Sequence, residues 1–180
     1  MTAVPESSAP ESSVSEVAEG AKPGALDQYR RWARFLFGLL AIVTGIGLVL
    51  TVAGGSLLSD RLAAAWPIIA LLALNIGATL VSLVALIRGL GLGSAWAIHA
   101  VAPVCGVLIA FGLIRALLAL TRNEVLFPLE AIGALLVLSR PHGSELLPPA
   151  SDEDRRRVAL VSGLLVVTFF APLILERVAL

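Results

Sequence analysis

The chain has 180 residues, of which 58% are apolar and only 14% charged, and its 13 basic and 13 acidic residues leave no net charge. A typical soluble domain is about 45–50% apolar and about 25% charged, so this composition excludes an ordinary water-soluble domain. The balanced charge excludes nucleic acid as a partner, because phosphate binding needs a basic surface. The composition therefore predicts an all-α membrane protein whose main partner is the lipid bilayer.

Residues 1–28 are predicted to form a disordered acidic tail. The first 24 residues carry four glutamates and a single lysine, and they show no apolar periodicity. Such a segment cannot bury enough apolar surface to offset the entropy of ordering it. The tail is interpreted either as a tether for a protein partner or as a simple solvated terminus.

The remainder, residues 29–180, is predicted to be a transmembrane domain of five helical spans. A helix needs about 20 residues, within a range of about 17–25, to cross the hydrocarbon core of a bilayer. The three tryptophans, Trp32, Trp66 and Trp96, fall at the ends of apolar stretches, as expected for an aromatic belt. The predicted spans are residues 35–54, 66–87, 95–120, 122–139 and 158–175.

The fourth span is the weakest, because its apolar core contains both Pro128 and Glu130. Thr121 and Glu124 fit a capping box, which extends the predicted helix to residues 122–139 and gives about 27 Å of length. Pro128 is then expected to kink this helix. The alternative is a bundle of four spans with a re-entrant or interfacial helix at this place.

The basic residues indicate the topology. With five crossings and a cytoplasmic N-terminus, nine basic residues lie inside and three outside, whereas four crossings give six on each side. The sequence therefore predicts a multi-pass protein of the cell membrane, with a cytoplasmic loop at residues 140–157 and an external C-terminus.

Small residues recur every fourth position on the first and third spans, and this spacing allows helix backbones to approach closely in lipid. They are interpreted as packing faces within the bundle, with contact to another protein as the alternative. These helix-packing residues are Gly47, Thr51, Gly55, Ala102, Gly106 and Ala110.

Two charges are predicted to meet inside the membrane. If the third and fourth spans form a tight antiparallel hairpin, Arg115 and Glu130 lie about 3 Å apart along the helix axis and form an ion pair. A charge at this depth is expensive unless it is paired, and it is by default a functional hypothesis. The pair either locks the hairpin or forms a gate or a site for an anionic headgroup or substrate.

Two further polar residues are candidates. Asn75, near the middle of the second span, is expected to form a hydrogen bond to another helix, and less readily to contact a ligand. His99 lies one turn inside the third span, where it is either a solvated interfacial residue or a proton shuttle.

Two connections carry local signals. The glycines between Gly89 and Gly93 predict a flexible turn between the second and third spans. Ser151 and Asp154 fit a capping box at the start of the last helix.

No catalytic, nucleotide-binding or metal-binding motif is present in the sequence, so neither an enzymatic activity nor a cofactor is expected. The first hypothesis is an accessory or scaffold subunit of a membrane complex. The alternative is a small transporter or channel that acts as an oligomer, with a path lined by Asn75, Arg115 and Glu130. Twelve of the thirteen basic residues are arginine, which is typical of a GC-rich bacterial genome.

Overall fold

The computed structural model describes residues 24–57, 66–122, 124–140 and 147–178, of which 55–57 and 173–178 are described as backbone only. These residues form α-helices and contain no strand. The helices are α1 (Ala25–Leu57), α2 (Trp66–Leu92), α3 (Ala95–Thr121), α4 (Leu129–Leu138) and α5 (Asp152–Val178).

The five helices close into a ring. α1 packs against α2, α2 against α5, α5 against α3, α3 against α4, and α4 returns to α1, while α2 also touches α3 across the ring. Large apolar side chains cover the outside, as expected for helices that face lipid rather than water. Clear examples are Phe35, Ile42, Leu74, Val81, Phe127 and Leu160.

Three helices, α1, α2 and α3, are long and apolar enough to cross a membrane, which makes the chain compatible with a membrane protein. The five predicted spans are therefore not all confirmed. α5 is not among these three helices, and its first six residues are all charged.

The predicted bounds of the fourth helix are wrong. Residues 124–128 are not helical, and α4 begins at Leu129 with Pro128 at its N-cap. Proline has no N–H to donate and disfavours helical backbone in the residue before it, so Pro128 starts the helix instead of kinking it. Thr121 belongs to the end of α3, where its hydroxyl donates to the carbonyl of Leu118 at 2.7 Å. The ten residues of α4 span only about 15 Å.

Two other boundaries differ from the prediction. α1 begins at Ala25, inside the segment predicted to be disordered, and residues 1–23 of that tail lie outside the described residues. The glycine-rich turn is also shorter than expected, because α2 continues to Leu92 and only Gly93 has a positive φ, of 70°. Arg30 Nη2 donates to the carbonyl of Leu90 at 2.8 Å and so satisfies a backbone acceptor in the last turn of α2.

The buried core is concentrated towards the end of the bundle where α1 and α3 begin and α2 and α4 end. We call this the closed end, and define it by Tyr29, Phe37, Leu86, Val101 and Val137, all of which are at most 2% exposed. The opposite end of the bundle contributes few fully buried side chains among the described residues and contains Asn75, Arg115 and Glu130. The site described below lies there.

The predicted capping box at the start of α5 is confirmed. The backbone N–H of Asp154 donates to the hydroxyl of Ser151 at 3.1 Å, and the backbone N–H of Ser151 donates to the Asp154 carboxylate at 3.1 Å. These hydrogen bonds from Ser151, together with the nearby charges of Arg157 and His99, lower the pKa of Asp154 below its ordinary value. The carboxylate is therefore ionised at neutral pH, where it also favours the N-terminus of the helix.

Candidate functional site

The predicted ion pair between α3 and α4 is present. Nη1 of Arg115 donates to Oε1 of Glu130 at 3.1 Å, and the guanidinium carbon lies 5.4 Å from the centre of the Phe111 ring. Glu130 lies in the first turn of α4, where the helix dipole favours a negative charge. The two partners differ in accessibility, since the Arg115 side chain is 40% exposed and the Glu130 side chain 16%. The carboxylate of Glu130 is therefore mostly buried, whereas the guanidinium of Arg115 remains accessible.

A close approach of the two helices brings the pair together. A Cβ atom on Gly112 would lie 2.9 Å from the Cβ of Ala131 and 3.2 Å from the Cβ of Pro128, so only glycine fits at this contact. Gly112 is one turn before Arg115 on α3, and Ala131 follows Glu130 on α4. The missing side chain of Gly112 thus sets the distance across which the arginine reaches the carboxylate.

Arg115 lines a half-open pocket of about 270 Å³ between α1, α2, α3 and α5. We call this the Arg115 pocket. It combines polar side chains from four helices with an apolar wall, and its described lining contains no carboxylate. The lining residues are Thr44, Gly47, Asn75, Ile76, Thr79, Phe111, Arg115, Thr168, Phe169 and Pro172.

The structure brings Asn75 to the same pocket as Arg115, but not in the predicted hydrogen bond. Within the part of the chain that the structure describes, the Asn75 carboxamide bonds to no other helix, and only its backbone carbonyl accepts, from Thr79 Oγ1 at 3.0 Å. Thr168 likewise donates its hydroxyl hydrogen to its own helix, at the carbonyl of Leu165. Asn75 therefore keeps free donors and acceptors at the pocket.

His99 lies elsewhere, about 24 Å along α3 from Arg115. Its Nε2 is 2.7 Å from the carbonyl oxygen of Pro148, and because a carbonyl only accepts, Nε2 is the donor. The imidazole lines a separate groove of about 540 Å³ between α3 and α5, together with Arg155 and Ser162. The hydroxyl of Ser162 is buried without a hydrogen-bond partner among the residues described.

The α3 stripe does not pack against any described helix of this chain. Ala102, Gly106 and Ala110 are all exposed, and a Cβ on Gly106 or on Gly47 would meet no atom within 4 Å. The buried face of α3 contains both larger residues, such as Val101 and Leu108, and small ones, such as Ala97 and Gly112. The hydroxyl of Thr51 donates to the carbonyl of Gly47, and the side-chain position of Gly55 lies outside the described residues. Contact of the α3 stripe with another protein stays a prediction.

Sequence reasoning missed several residues of the Arg115 pocket. Thr44, Thr79 and Thr168 lie on three different helices, and no spacing within one segment connects them. A threonine inside a span is ordinary, because its hydroxyl can bond back to the carbonyl of the preceding turn. The aromatic wall gave a weak signal at best, since Phe111 and Phe169 are 58 positions apart although their ring centres lie 4.8 Å from each other.

Comparison with known proteins supplies no family for the chain: no family model matches it, and no curated protein or solved structure is significantly similar.

Proposed function

We propose that the chain is a non-enzymatic, multi-pass membrane protein that serves as an accessory or scaffold subunit of a membrane complex. The observation that carries this proposal is the exposed stripe of Ala102, Gly106 and Ala110 on α3. Within a bilayer, exposed apolar surface alone indicates only lipid, but small residues four positions apart allow a second helix to approach closely and to gain dispersion contacts that lipid chains do not supply.

The face around the stripe suits such a contact. Leu113 and Leu117 continue the exposed side of α3 by one and two turns, and both are more than half exposed. A partner helix laid along α3 would pack large side chains over Gly106, where the chain's own atoms leave the position empty. The partner is therefore expected to be another transmembrane helix.

We expect Gly106→Leu to reduce partner recovery about tenfold, the effect of losing about 1.4 kcal/mol of association energy. The measurement is purification of the tagged full-length chain from its native membrane in a mild detergent, followed by quantitative mass spectrometry. Gly45→Leu is the matched control, because a Cβ on Gly45 also meets no atom within 4 Å but lies on α1. Equal recovery of a stoichiometric partner with both variants would contradict the proposed interface.

A small transporter or channel is the second candidate, and the Arg115 pocket favours it. An accessible cation beside the free amide of Asn75, inside a bundle, is the kind of group that lines a substrate path. The same purification distinguishes the two functions. A homo-oligomer without a foreign partner, together with flux in liposomes, would support transport over scaffolding.

We further propose five crossings, with the N-terminus cytoplasmic and the C-terminus external. Support for a fourth crossing comes from the end of α4, where the Arg140 guanidinium lies 4.7 Å from the centre of the Trp32 ring near the start of α1. Residues 124–138 thus lead back towards the end of the bundle where α1 begins. The ten helical residues of α4 cover about 15 Å of the roughly 30 Å hydrocarbon core, and the non-helical residues 124–128 would cover the remainder.

Reporter fusions test this topology. A phosphatase that is active only outside the cytoplasm is expected to be active when fused after Leu180 and inactive when fused after Arg140. The number of crossings fixes both results, because each crossing reverses the side. Activity at Arg140, or inactivity at Leu180 in a stably inserted fusion, would rule out the proposed arrangement.

A further inference from the structure

We propose that the Arg115 pocket binds the carboxylate head of a single-chain anionic amphiphile taken from the bilayer. This inference does not depend on the scaffold function, because it needs no protein partner. Its starting point is the accessibility of the ion pair described above. The carboxylate of Glu130 is covered, whereas the guanidinium of Arg115 remains 40% exposed and lines the pocket.

The guanidinium has donors to spare. Arginine carries five N–H groups, and the only hydrogen bond of Arg115 to a described residue is the one from Nη1 to Glu130. The guanidinium carbon also lies 5.4 Å from the centre of the Phe111 ring, a distance at which the ring attracts the cation. In a low-dielectric site, donors of a charged group are costly to leave without acceptors. An oxyanion in the pocket would supply those acceptors.

The other polar groups supplement the arginine. The amide of Asn75 and the hydroxyl of Thr44 line the pocket, and neither side chain has a hydrogen-bond partner among the residues that the structure describes. Both can donate to an anion. The described lining contains no Asp or Glu, and the nearest carboxylate, Glu130, lies outside it and is bound to Nη1 of Arg115 alone. A carboxylate fits this set well, because its two oxygens match the planar fork of a guanidinium.

The apolar wall and the size of the pocket indicate an amphiphile rather than a free ion. Ile76, Phe169 and Pro172 lie on the same surface as the donors, and contact with them would favour a hydrocarbon chain next to the head. The volume of about 270 Å³ accommodates a head and the first carbons of a chain but not a complete phospholipid. The pocket is half-open, so the remainder of the chain would continue into the surrounding bilayer.

Equilibrium binding of radiolabelled oleate to the full-length chain in dodecyl maltoside tests the proposal. We expect saturable binding of one oleate per chain, displaced by dodecanoate but not by equal concentrations of acetate or dodecyltrimethylammonium. Displacement by acetate at the same concentration would assign the site to a water-soluble carboxylate and overturn the amphiphile. Displacement by dodecyltrimethylammonium would show that the negative charge is not recognised, and would overturn the proposal as a whole.

Two variants connect the binding to the pocket. Gly47→Leu places a side chain at a lining position where a Cβ meets no atom within 4 Å, so it should fill the pocket without strain and weaken oleate binding at least tenfold. Gly45→Leu, two residues earlier and outside the lining, is the matched control and should bind as the unmodified chain does. Equal affinity of the two variants would overturn the assignment to this pocket.

A charge-neutral change tests the arginine itself. The double variant Arg115→Gln with Glu130→Gln keeps polar groups facing each other and leaves no unpaired charge, and it should also lose at least tenfold in oleate affinity. Thr44→Val is expected to weaken binding severalfold, whereas Thr51→Val, on the same helix but outside the lining, should not. Unchanged affinity in a folded double variant would overturn the role of Arg115, and the Gly47 comparison decides the matter if that variant does not fold.

Discussion

Replacement of Glu130 by alanine is expected to lower the free energy of unfolding of the detergent-solubilised chain by about 1–3 kcal/mol. The lower figure corresponds to an inter-helix hydrogen bond in a membrane protein, and the upper one to an unpaired charge on insertion scales. Glu130 is 84% buried at its side chain, so its removal leaves Arg115 without the one carboxylate that it contacts among the described residues. Reversible unfolding in sodium dodecyl sulfate, followed by circular dichroism, measures the change.

The matched control is Glu124→Ala, an exposed acidic residue of the same connection, which should change the unfolding free energy by less than about 0.5 kcal/mol. A second comparison uses Glu130→Ala in a chain that also carries Arg115→Ala. Because the arginine is then absent, the alanine at position 130 should cost less than it does alone. If Glu130→Ala proved as harmless as the control, the pair would contribute nothing to the α3–α4 contact.

Gly112→Leu is the second change with a large expected effect, a loss of about 3 kcal/mol or more. A Cβ at this position would already lie 2.9 Å from Ala131 and 3.3 Å from a backbone nitrogen, so the larger side chain must push α4 away from α3. Overpacking of this kind usually costs about 1–3 kcal/mol, and here it would also lengthen the distance from Arg115 to Glu130. Thermal unfolding and the yield of inserted protein are the two measurements.

Gly106→Leu provides the control on the same helix. Gly106 is exposed and a Cβ there meets no atom within 4 Å, so the substitution should leave the stability of the isolated chain unchanged. It should act on partner recovery alone, whereas Gly112→Leu should act on folding. Similar losses of stability for both variants would mean that the described arrangement of α3 and α4 is wrong.

The apolar helices and the Arg115–Glu130 contact could both be predicted from the sequence. The helices follow from the length of the charge-free runs, and the contact follows from the cost of an unpaired charge. Long runs of residues without a charge predicted α1, α2 and α3 as apolar helices. A charge in an apolar run needs a partner, and the shortness of the connection between α3 and α4 left Glu130 as the nearest one. The start of α4 was predicted wrongly because a capping-box pattern at Thr121 was given more weight than the backbone restriction of Pro128.

The pocket and the inward face of α3 could not be predicted for a different reason. α3 is apolar on all its faces. Its sequence therefore does not show which face contacts lipid and which contacts the neighbouring helices. The stripe of Ala102, Gly106 and Ala110 was interpreted as a packing face within the bundle, but it lies on the exposed side of α3. The Arg115 pocket depends on residues such as Thr44 and Thr168, which more than a hundred positions separate along the chain. Only the order of helices around the ring brings them together.

The two ends of the bundle differ in how many buried side chains they contain, and we expect them to tolerate substitutions differently during evolution. At the closed end, Phe37, Leu86 and Val101 are fully buried, and a change of even one methylene in a packed core affects stability. At an open position of the Arg115 pocket such as Gly47, where an added Cβ meets no atom within 4 Å, a larger side chain needs no second change. Homologous chains should therefore conserve the residues of the closed end and vary more in the lining of the pocket. New ligand preferences can then arise in the pocket with little loss of folding stability.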